Sequence, residues 1–436
     1  MGGNVEILLT EGAIVTQDED RRIIKNQDVF IKDGKIELIG KNLRENADLK
    51  INCRGKVIIP GLINLHTHSP MTLLRGYADD MLLENWLKEK IWPIESNLKA
   101  KDVYYGALLA CIEMVKSGTT SFLDMYFFMD EVAKACKEVG IRGFLSPGIL
   151  EFGTPEVKDV QDQMKMSKEF IDKWRGDELI TPVLGPHSIY ACSKDTLLEI
   201  KHISEEKDAL INIHVSETRK EVVDSEKKFG MRPVEYLDGI GFLCERVIAA
   251  HCVWLTRREV SLMAKKDVKV AHNPISNMKL ASGGVMPLPE MLEDGVTVGL
   301  GTDGAASNNN LDMFEEMKVA AILHKAHRWD PRVANAQEVF DMATLKGALA
   351  LGRTDLGSIE VGKTADLVIL NEKSVRLRPL HNVISHLVYS AQGSDVWSTI
   401  VNGRLTVFNG RVLGVDEEEV LLKVEERITR LLDNSS

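Results

Sequence analysis

The sequence predicts an α/β protein whose larger part is a closed (β/α)8 barrel, flanked by a small β-sandwich domain built from both termini of the chain. Eight apolar, strand-like runs alternate with helical patterns through the middle of the 436 residues, which is typical of a parallel sheet. The repeat is also regular. His251 follows His214 by 37 residues, and His214 follows His66 by four times that interval, so eight such units would close into a barrel.

The predicted barrel strands lie at residues 57–66, 119–125, 141–146, 180–187, 210–215, 246–252, 267–273 and 296–303. Shorter strand-like runs precede them at 5–9, 13–16, 27–32 and 35–39, and others follow at 366–370, 396–401 and 404–408. Asp33-Gly34 and Asn402-Gly403 are hairpin signals within these terminal groups. Residues 417–432 predict a closing amphipathic helix. We therefore expect a barrel over 57–358 and a sandwich formed by 1–56 and 359–436.

The composition excludes several classes of protein. The net charge is −11 with no basic run, which disfavours nucleic acid and anionic membranes as partners. No apolar stretch reaches the roughly 20 residues of a membrane span, and the N-terminus lacks the basic and apolar regions of a signal peptide. The six cysteines form no C-x-x-C pair, so we expect reduced thiols and a cytoplasmic protein.

Residues suited to metal binding gather at the carboxyl ends of the predicted barrel strands, where barrels of this kind carry their active sites. One such histidine could be an ordinary hydrogen-bonded core residue, but six ligand-type residues at the same end predict a metal centre. They are His66 and His68 on strand 1, His187 on strand 4, His214 on strand 5, His251 on strand 6 and Asp303 on strand 8.

The residue types indicate hydrolysis. Three neutral imidazoles and one carboxylate, with a position left open for water, suit a zinc-like ion, which lowers the pKa of its bound water towards about 7. Glu217 lies three residues beyond His214 and is predicted to shuttle the proton to the leaving group. Asp303 can bind metal through one oxygen and take a proton with the other. His251 would hydrogen-bond and orient the attacking hydroxide.

The motifs resemble the amidohydrolase superfamily, and nearly the whole chain is most similar to its 5′-methylthioadenosine/S-adenosylhomocysteine deaminases. The residues that carry this resemblance are PGLINLHTH at 60–68, WPIE at 92–95, GPHS at 185–188, HVSE at 214–217, HNP at 272–274 and GTDGAASNN at 301–309.

The resemblance implies a (β/α)8 barrel of the TIM type with a β-sandwich made from both termini. It also implies one divalent metal ion per subunit, Zn²⁺ in the first place with Fe²⁺, Ni²⁺ or Mn²⁺ as alternatives. Binuclear relatives carry a modified lysine at the end of strand 4, where this chain has His187, which favours a single ion. The implied ligands are His66, His68, His214 and Asp303.

By the same resemblance, His187 contacts the substrate and Glu95 holds the ribose hydroxyls. A carboxylate suits a vicinal diol, although without the resemblance Glu95 would be interpreted as a solvated carboxylate at a helix end. The family's arginine before the glycine that follows strand 3 is replaced by Pro147, which has no charge and no donor. The substitution therefore disfavours recognition of a carboxylate tail and favours neutral 5′-substituted adenosines.

An apolar segment follows the first strand, and two interpretations of it stay open. It could line a pocket for a methylthio or deoxy 5′ end, or it could be a packed helix face. Its members are Met71, Leu73, Leu74, Met81, Leu82, Trp86 and Trp92.

Two nucleotide-binding patterns need explanation. Residues 357–364 match G-x-x-x-x-G-K-[ST], which makes a P-loop nucleoside-triphosphatase a remote alternative. That mechanism requires a strand before the loop and a helix after it, whereas a strand-like run follows at 366–370. Residues 299–304 match G-x-G-x-x-G, but Asp303 would repel a pyrophosphate. An inactive scaffold barrel is disfavoured because every proposed ligand and the proton shuttle are present.

The predicted function is hydrolytic deamination of an adenine nucleoside: 5′-methylthioadenosine, S-adenosylhomocysteine, 5′-deoxyadenosine or adenosine. Water attacks C6, Glu217 protonates N1, Asp303 helps to pass a proton to the departing ammonia, and the product is the inosine analogue. The alternative within the fold is another aminated heterocycle, guanine or a substituted triazine, for which a ribose-binding Glu95 has no evident use. A small-molecule nucleoside is the expected partner, and a homo-oligomer is possible.

Overall fold

The computed structural model describes residues 5–81, 85–371 and 373–433. Both ends of the chain build one nine-stranded sheet. Its strands are β1 Ile7–Val15, β2 Ile23–Lys32, β3 Lys35–Gly40, β4 Leu49–Asn52, β5 Lys56–Pro60, β15 Leu367–Asn371, β16 Val396–Val401, β17 Arg404–Phe408 and β18 Arg411–Val412. Their order across the sheet is β18-β17-β16-β15-β5-β1-β2-β3, with β4 beside β1.

The predicted separate strands at 5–9 and 13–16 are wrong, because they are halves of the single strand β1. Its pairing with β2 shifts register between Leu9 and Gly12, where Glu11 adopts a positive φ of 60°. Such a bulge interrupts the alternation of inward and outward side chains without ending the strand. The interruption therefore has the same sequence pattern as a turn.

Eight parallel strand positions form the barrel, and its fold class is confirmed. They are β6 Leu62–Thr67, β7 Thr119–Tyr126, β8 Arg142–Ile149, the interrupted pair β9 Ile180–Pro182 and β10 Gly185–Pro186, β11 Ile211–Val215, β12 Val247–His251, β13 Lys269–His272 and β14 Val298–Leu300.

The predicted first strand, 57–66, is wrong as a single element. Residues 56–60 form β5, which pairs with β1 and β15 in the terminal sheet, and the chain then enters the barrel as β6. Gly61 lies at this crossing against Thr120, where a Cβ atom would lie 2.1 Å from the threonine Oγ1. An uninterrupted apolar run does not show where it passes from one buried sheet to another.

Backbone hydrogen bonds close the barrel at two seams. Leu184 donates to Leu210 O and accepts from Asn212, which joins the fourth strand position to β11. At the other seam Asp303 N donates to His66 O at 2.9 Å. The interior is filled by apolar side chains such as Leu65 and Phe144, so the barrel is a packed core and not a channel.

The longer helices lie outside the barrel, and the last of them, Glu417–Asp433, packs on Ala100–Lys116 through ion pairs that include Arg430–Asp102. No helix of the described residues is long and apolar enough to cross a membrane. The other α-helices are Trp92–Glu95, Met129–Val139, Val160–Trp174, Lys194–Lys207, Arg219–Phe229, Pro233–Gly239, Arg257–Lys265, Pro274–Lys279, Leu288–Glu293, Ala305–Asn308, Met313–Arg328, Ala336–Ala343, Leu345–Ala350 and Val383–Tyr389, with a π-helix at Trp86–Ile91 and 3-10 turns at Ser69–Leu74, Val375–Leu377 and Gly393–Asp395.

The phosphate-loop pattern at 357–364 lacks the structure its mechanism needs. Helix Leu345–Ala350 precedes it and strand β15 follows it. The Lys363 ammonium is bonded to Ser358 Oγ at 2.5 Å and paired with Glu360 at 2.9 Å. The segment is therefore a turn that leads into the terminal sheet.

Candidate active site

His66 and His68 lie at the carboxyl end of β6, and their rings meet edge to face with centroids 4.9 Å apart. His66 is completely buried, and neither of its ring nitrogens has a hydrogen-bond partner. A buried polar atom without a partner is costly, and a bound cation would satisfy it.

His68 and His214 point their Nε2 atoms at one another across 3.3 Å. Their other ring nitrogens face backbone carbonyls: Nδ1 of His68 lies 2.6 Å from Met125 O, and Nδ1 of His214 lies 2.8 Å from His187 O. Because a carbonyl only accepts, each Nδ1 must carry a hydrogen, so in the neutral rings the Nε2 lone pairs are available to bind a metal ion.

Asp303 completes the cluster three residues beyond β14, which ends at Leu300 and not at 303 as predicted. Its Oδ1 lies 3.2 Å from His68 Nε2 and 3.6 Å from His66 Nε2. Burial opposes a charge on His68, but the hydrogen bond to Asp303 and the charge of that carboxylate raise the pKa of His68 to about 9. The Asp303 carboxylate therefore favours a positive charge beside it. Three imidazole nitrogens and one carboxylate oxygen suit a divalent ion of the zinc type.

The second oxygen of Asp303 is occupied. Ser276 and Ser307 both donate to Oδ2, at 2.6 and 3.0 Å. This oxygen is the one to which proton transfer was assigned from the sequence, and neither serine was identified there. For Oδ2 to take a proton, one of these hydroxyls must rotate away. Both serines lie on short helices, Pro274–Lys279 and Ala305–Asn308, and Ser307 belongs to the motif at 301–309.

Glu217 and His251 face one another over the cluster, with Glu217 Oε2 4.0 Å from His251 Nε2. His251 Nδ1 lies 2.8 Å from Asn277 Oδ1. Burial raises the pKa of Glu217, whose side chain reaches the cavity described below. A carboxyl group that holds a proton more readily than usual suits a proton shuttle.

Glu221, which was not identified from the sequence, fixes the turn that carries Glu217. Its carboxylate accepts from the backbone N–H groups of Ser216 at 2.9 Å and Glu217 at 2.8 Å. Ser216 adopts a left-handed φ of 51°, which is unfavourable for a residue with a side chain. The two hydrogen bonds offset this strain and hold Glu217 over the histidine–aspartate cluster.

A cavity of about 330 Å³ opens above the cluster and receives His187 at one wall. The His187 ring packs 4.5 Å from that of His214 and 5.8 Å from that of Tyr190. Trp92 and Phe152 lie at the rim with ring centroids 5.7 Å apart. The cavity combines aromatic surface with a few polar groups, which is typical of a site for a small planar ligand.

Both interpretations of the apolar segment after strand 1 hold for part of it. Met71, Trp86 and Trp92 line the cavity. Leu73 and Leu74 are buried in the core between helices, and Met81 packs against that core. Leu82 lies outside the described residues.

Glu95 lines the cavity and is not solvated at a helix end, since only 6% of it is exposed. The Tyr126 hydroxyl donates to its Oε1 at 2.7 Å. Burial raises the pKa of Glu95 to about 7, although the Tyr126 hydrogen bond and the charge of His68 act in the opposite direction. Tyr126 was not identified from the sequence, but it is the last residue of β7 and thus occupies the position that marked the histidines.

Pro147 lies within β8, and the cavity wall there is formed by Gly148 and Leu150. Among the described residues that line the cavity, Lys158 is the one lysine or arginine. A positively charged side chain therefore lines the cavity from the loop after β8. The absence of an arginine at position 147 gave no indication of this lysine.

The fold and the site define a metal-dependent hydrolase, and the chain belongs to the amidohydrolase family, whose sequence profile matches residues 57–406. It is 49% identical over 418 residues to a 5′-deoxyadenosine deaminase of Methanosarcina acetivorans, covering 95% of this chain and 96% of the relative. It is 49% identical over 405 residues to a 5-methylthioadenosine/S-adenosylhomocysteine deaminase of Thermococcus sibiricus, covering 92% and 94% of the two chains.

Among solved structures, an adenosine deaminase of Xanthomonas campestris with bound zinc matches with a TM-score of 0.96 and 34% identity. The match covers 99% of this chain and all of that one. The predictions of an amidohydrolase-family enzyme and of its barrel are confirmed by these likenesses.

Proposed function

We propose that this enzyme removes the 6-amino group of 5′-substituted adenosines by hydrolysis, with 5′-deoxyadenosine and 5′-methylthioadenosine as the principal substrates. The observation that carries the proposal is the set of His66, His68 and His214, whose ligand atoms lie within 4.8 Å of one another, with Asp303 3.2 Å from His68, at the floor of a cavity that also presents Glu217 and Glu95. His251 groups with His66 and Asp303 within the same limit. The chain's likeness to deaminases of these nucleosides supports it.

We assign the cluster one divalent cation, Zn²⁺ in the first place, with Fe²⁺, Ni²⁺ and Mn²⁺ as alternatives. When bound, such an ion makes a water molecule acidic enough to attack at neutral pH. The four side chains bring to it three imidazole nitrogens and one carboxylate oxygen, each oriented by a neighbour or by burial. Ligands held in this way lose little conformational freedom on binding.

The remaining groups move protons and orient the substrate. Glu217 accepts the proton of the attacking water and delivers it to N1 of the purine, while His251 orients that water. Addition of water at C6 followed by cleavage of the C6–N6 bond releases ammonia and leaves the inosine analogue. Asp303 helps to pass the second proton to the leaving amine. His187, which forms part of the cavity wall, contacts the purine.

Glu95 favours nucleosides over free bases as substrates. A buried carboxyl in the cavity wall has a use if it accepts hydrogen bonds from a ribose diol, and guanine or a triazine carries no such diol. We therefore favour the nucleoside over these heterocycles.

The test is an ammonia-release screen combined with metal analysis of the purified enzyme. Substrates are adenosine, 5′-methylthioadenosine, 5′-deoxyadenosine, S-adenosylhomocysteine, guanine and a triazine. We expect the highest kcat/KM with the neutral 5′-substituted adenosines. Higher kcat/KM with guanine or the triazine would contradict the proposal.

A further inference from the structure

Tyr126 and Glu95 form a buried pair at the wall of the cavity. The tyrosine is 4% exposed and the glutamate 6%, yet both side chains line the cavity. Within the part of the chain that the structure describes, the Tyr126 hydroxyl is the one hydrogen-bond donor to the Glu95 carboxyl. Two polar groups are thus kept together in a largely apolar wall.

The hydrogen bond between them leaves acceptors on both partners. Tyr126 donates its proton to Glu95 Oε1, so Oε2 of the carboxylate stays available. A phenol oxygen that donates its proton still accepts through its lone pairs. The pair therefore offers two neighbouring acceptors, the phenol oxygen and Oε2, on atoms joined by a bond of 2.7 Å.

A vicinal diol presents the complementary arrangement of two hydroxyl donors on adjacent carbons, with oxygens at about hydrogen-bond distance from each other. A single carboxylate could take both donors, but here one of its oxygens is already engaged by Tyr126. The second hydroxyl then finds its acceptor on the tyrosine.

Strand β7 connects Tyr126 to the histidine–aspartate cluster. Tyr126 follows Met125 on β7, and the Met125 carbonyl holds Nδ1 of His68. The end of one strand therefore sets the distance between the reacting centre and the diol site. A displacement of the ribose would move C6 of the purine relative to the attacking water.

We propose that Tyr126 is a specificity-determining residue, which accepts one hydroxyl of the ribose while Glu95 accepts the other. The inference rests on the proposed function, because it takes the substrate to be a ribonucleoside. It makes the enzyme selective for a complete 2′,3′-diol. The Glu95 carboxylate and the Tyr126 phenol oxygen each accept a hydrogen bond from a different ribose hydroxyl.

The experiment uses the full-length, metal-loaded enzyme and the variants Tyr126→Phe and Glu95→Gln. Three substrates are compared by ammonia release: 5′-deoxyadenosine, 2′,5′-dideoxyadenosine and 3′,5′-dideoxyadenosine. Binding of the three corresponding inosine products is measured in parallel by quenching of tryptophan fluorescence, since Trp86 and Trp92 line the cavity. The matched control is Tyr104→Phe, which removes a tyrosine–glutamate hydrogen bond to Glu138 away from the cavity.

We expect the wild type to discriminate against both monodeoxy compounds. Tyr126→Phe should raise KM for 5′-deoxyadenosine about tenfold with little change in kcat, and should abolish discrimination against one of the two monodeoxy analogues. Glu95→Gln should weaken discrimination against the other. Tyr104→Phe should behave as wild type.

Equal losses on all three compounds in Tyr126→Phe would show a merely structural role and overturn the proposal. Equal kcat/KM of the wild-type enzyme for 5′-deoxyadenosine and both monodeoxy analogues would also overturn the proposal. This result needs no variant. Ribose discrimination in the binding assay without ammonia release would instead contradict the proposed reaction and leave the diol site supported.

Discussion

The Nε2 atoms of His68 and His214 lie 3.3 Å apart, although a backbone carbonyl holds the opposite nitrogen of each ring. When both rings are neutral, two lone pairs at this distance repel one another unless a proton or a metal ion lies between them. The pair comes from strands β6 and β11, and the carboxylate of Asp303 adds negative charge beside it. The arrangement is stabilised by a positive charge and therefore leads to the first prediction.

His214→Ala is expected to lower bound metal from one ion per chain to a small fraction, because one of the four ligands is lost. The measurement is elemental analysis after gel filtration. His202→Ala is the matched control, since His202 is exposed on helix Lys194–Lys207, and it should retain full metal content. Chelation of the wild type should also lower Tm, because an ion that binds only the folded state stabilises it. Full metal content in His214→Ala would contradict the assigned ligand set.

Glu217→Gln should lower kcat by a factor of about 10² to 10⁴ while metal content stays unchanged, because the amide cannot accept the proton of the attacking water. Steady-state ammonia release and metal analysis measure the two quantities. Glu226→Gln serves as the control, since Glu226 is a half-exposed residue of the following helix. Near-normal turnover in Glu217→Gln would exclude the shuttle role.

Ser276→Ala should reduce kcat about tenfold, because Asp303 Oδ2 loses its shorter hydrogen bond and the carboxylate is less well oriented. Ser307→Ala removes the longer bond to the same oxygen and should have a smaller effect. Ser261→Ala is matched to both, since it removes a serine–aspartate bond of 2.8 Å to Asp294 at the surface. Equal kcat in all three variants would show that Oδ2 needs no support.

KM for the nucleoside should fall as pH rises through about 7, since burial raises the pKa of Glu95 to that value and only the ionised form is a strong acceptor. The Tyr126 hydrogen bond acts to lower this pKa, so Tyr126→Phe should move the fall in KM to higher pH. Glu95→Gln should remove this pH dependence. The measurement is KM across the neutral range, and a KM that rises with pH in the wild type would have the wrong sign.

Arg142→Met should lower the free energy of unfolding by about 3 to 5 kcal/mol, because it leaves the buried carboxylate of Asp366 without its charged partner. The two side chains are almost completely buried and lie 3.2 Å apart, and they join barrel strand β8 to the terminal sheet. Arg54→Met breaks the exposed pair with Glu11 and should have a much smaller effect. Urea denaturation compares them, and similar midpoints would contradict the prediction.

Local patterns in the sequence were sufficient for most of the architecture. β16, β17 and the beginning of the last helix lie where alternation and helical periodicity placed them. The observed strands β6, β11 and β12 end within one residue of His66, His214 and His251, as the sequence predicted. These signals are local because the same few neighbouring residues determine both the pattern and the element.

Other features depend on the closed barrel. The division of 57–66 between two sheets follows from pairing with β1 and β15, which the apolar run does not encode. The sequence also left Glu95 ambiguous, since a helix-end carboxylate is exposed in most proteins. Its hydrogen-bond partner Tyr126 lies 31 residues away on another element.

By itself, the amino-acid sequence determined most of the strand and helix pattern, the barrel and the set of candidate metal ligands, because each of these depends on residue type and short-range periodicity. The tertiary structure alone decided which groups support that set: the carbonyls behind His68 and His214, the serines on Asp303, and the tyrosine on Glu95. The physical reason is that a hydrogen bond requires two atoms within about 3 Å. Only closure of the sheet brings residues so far apart in the chain to that distance.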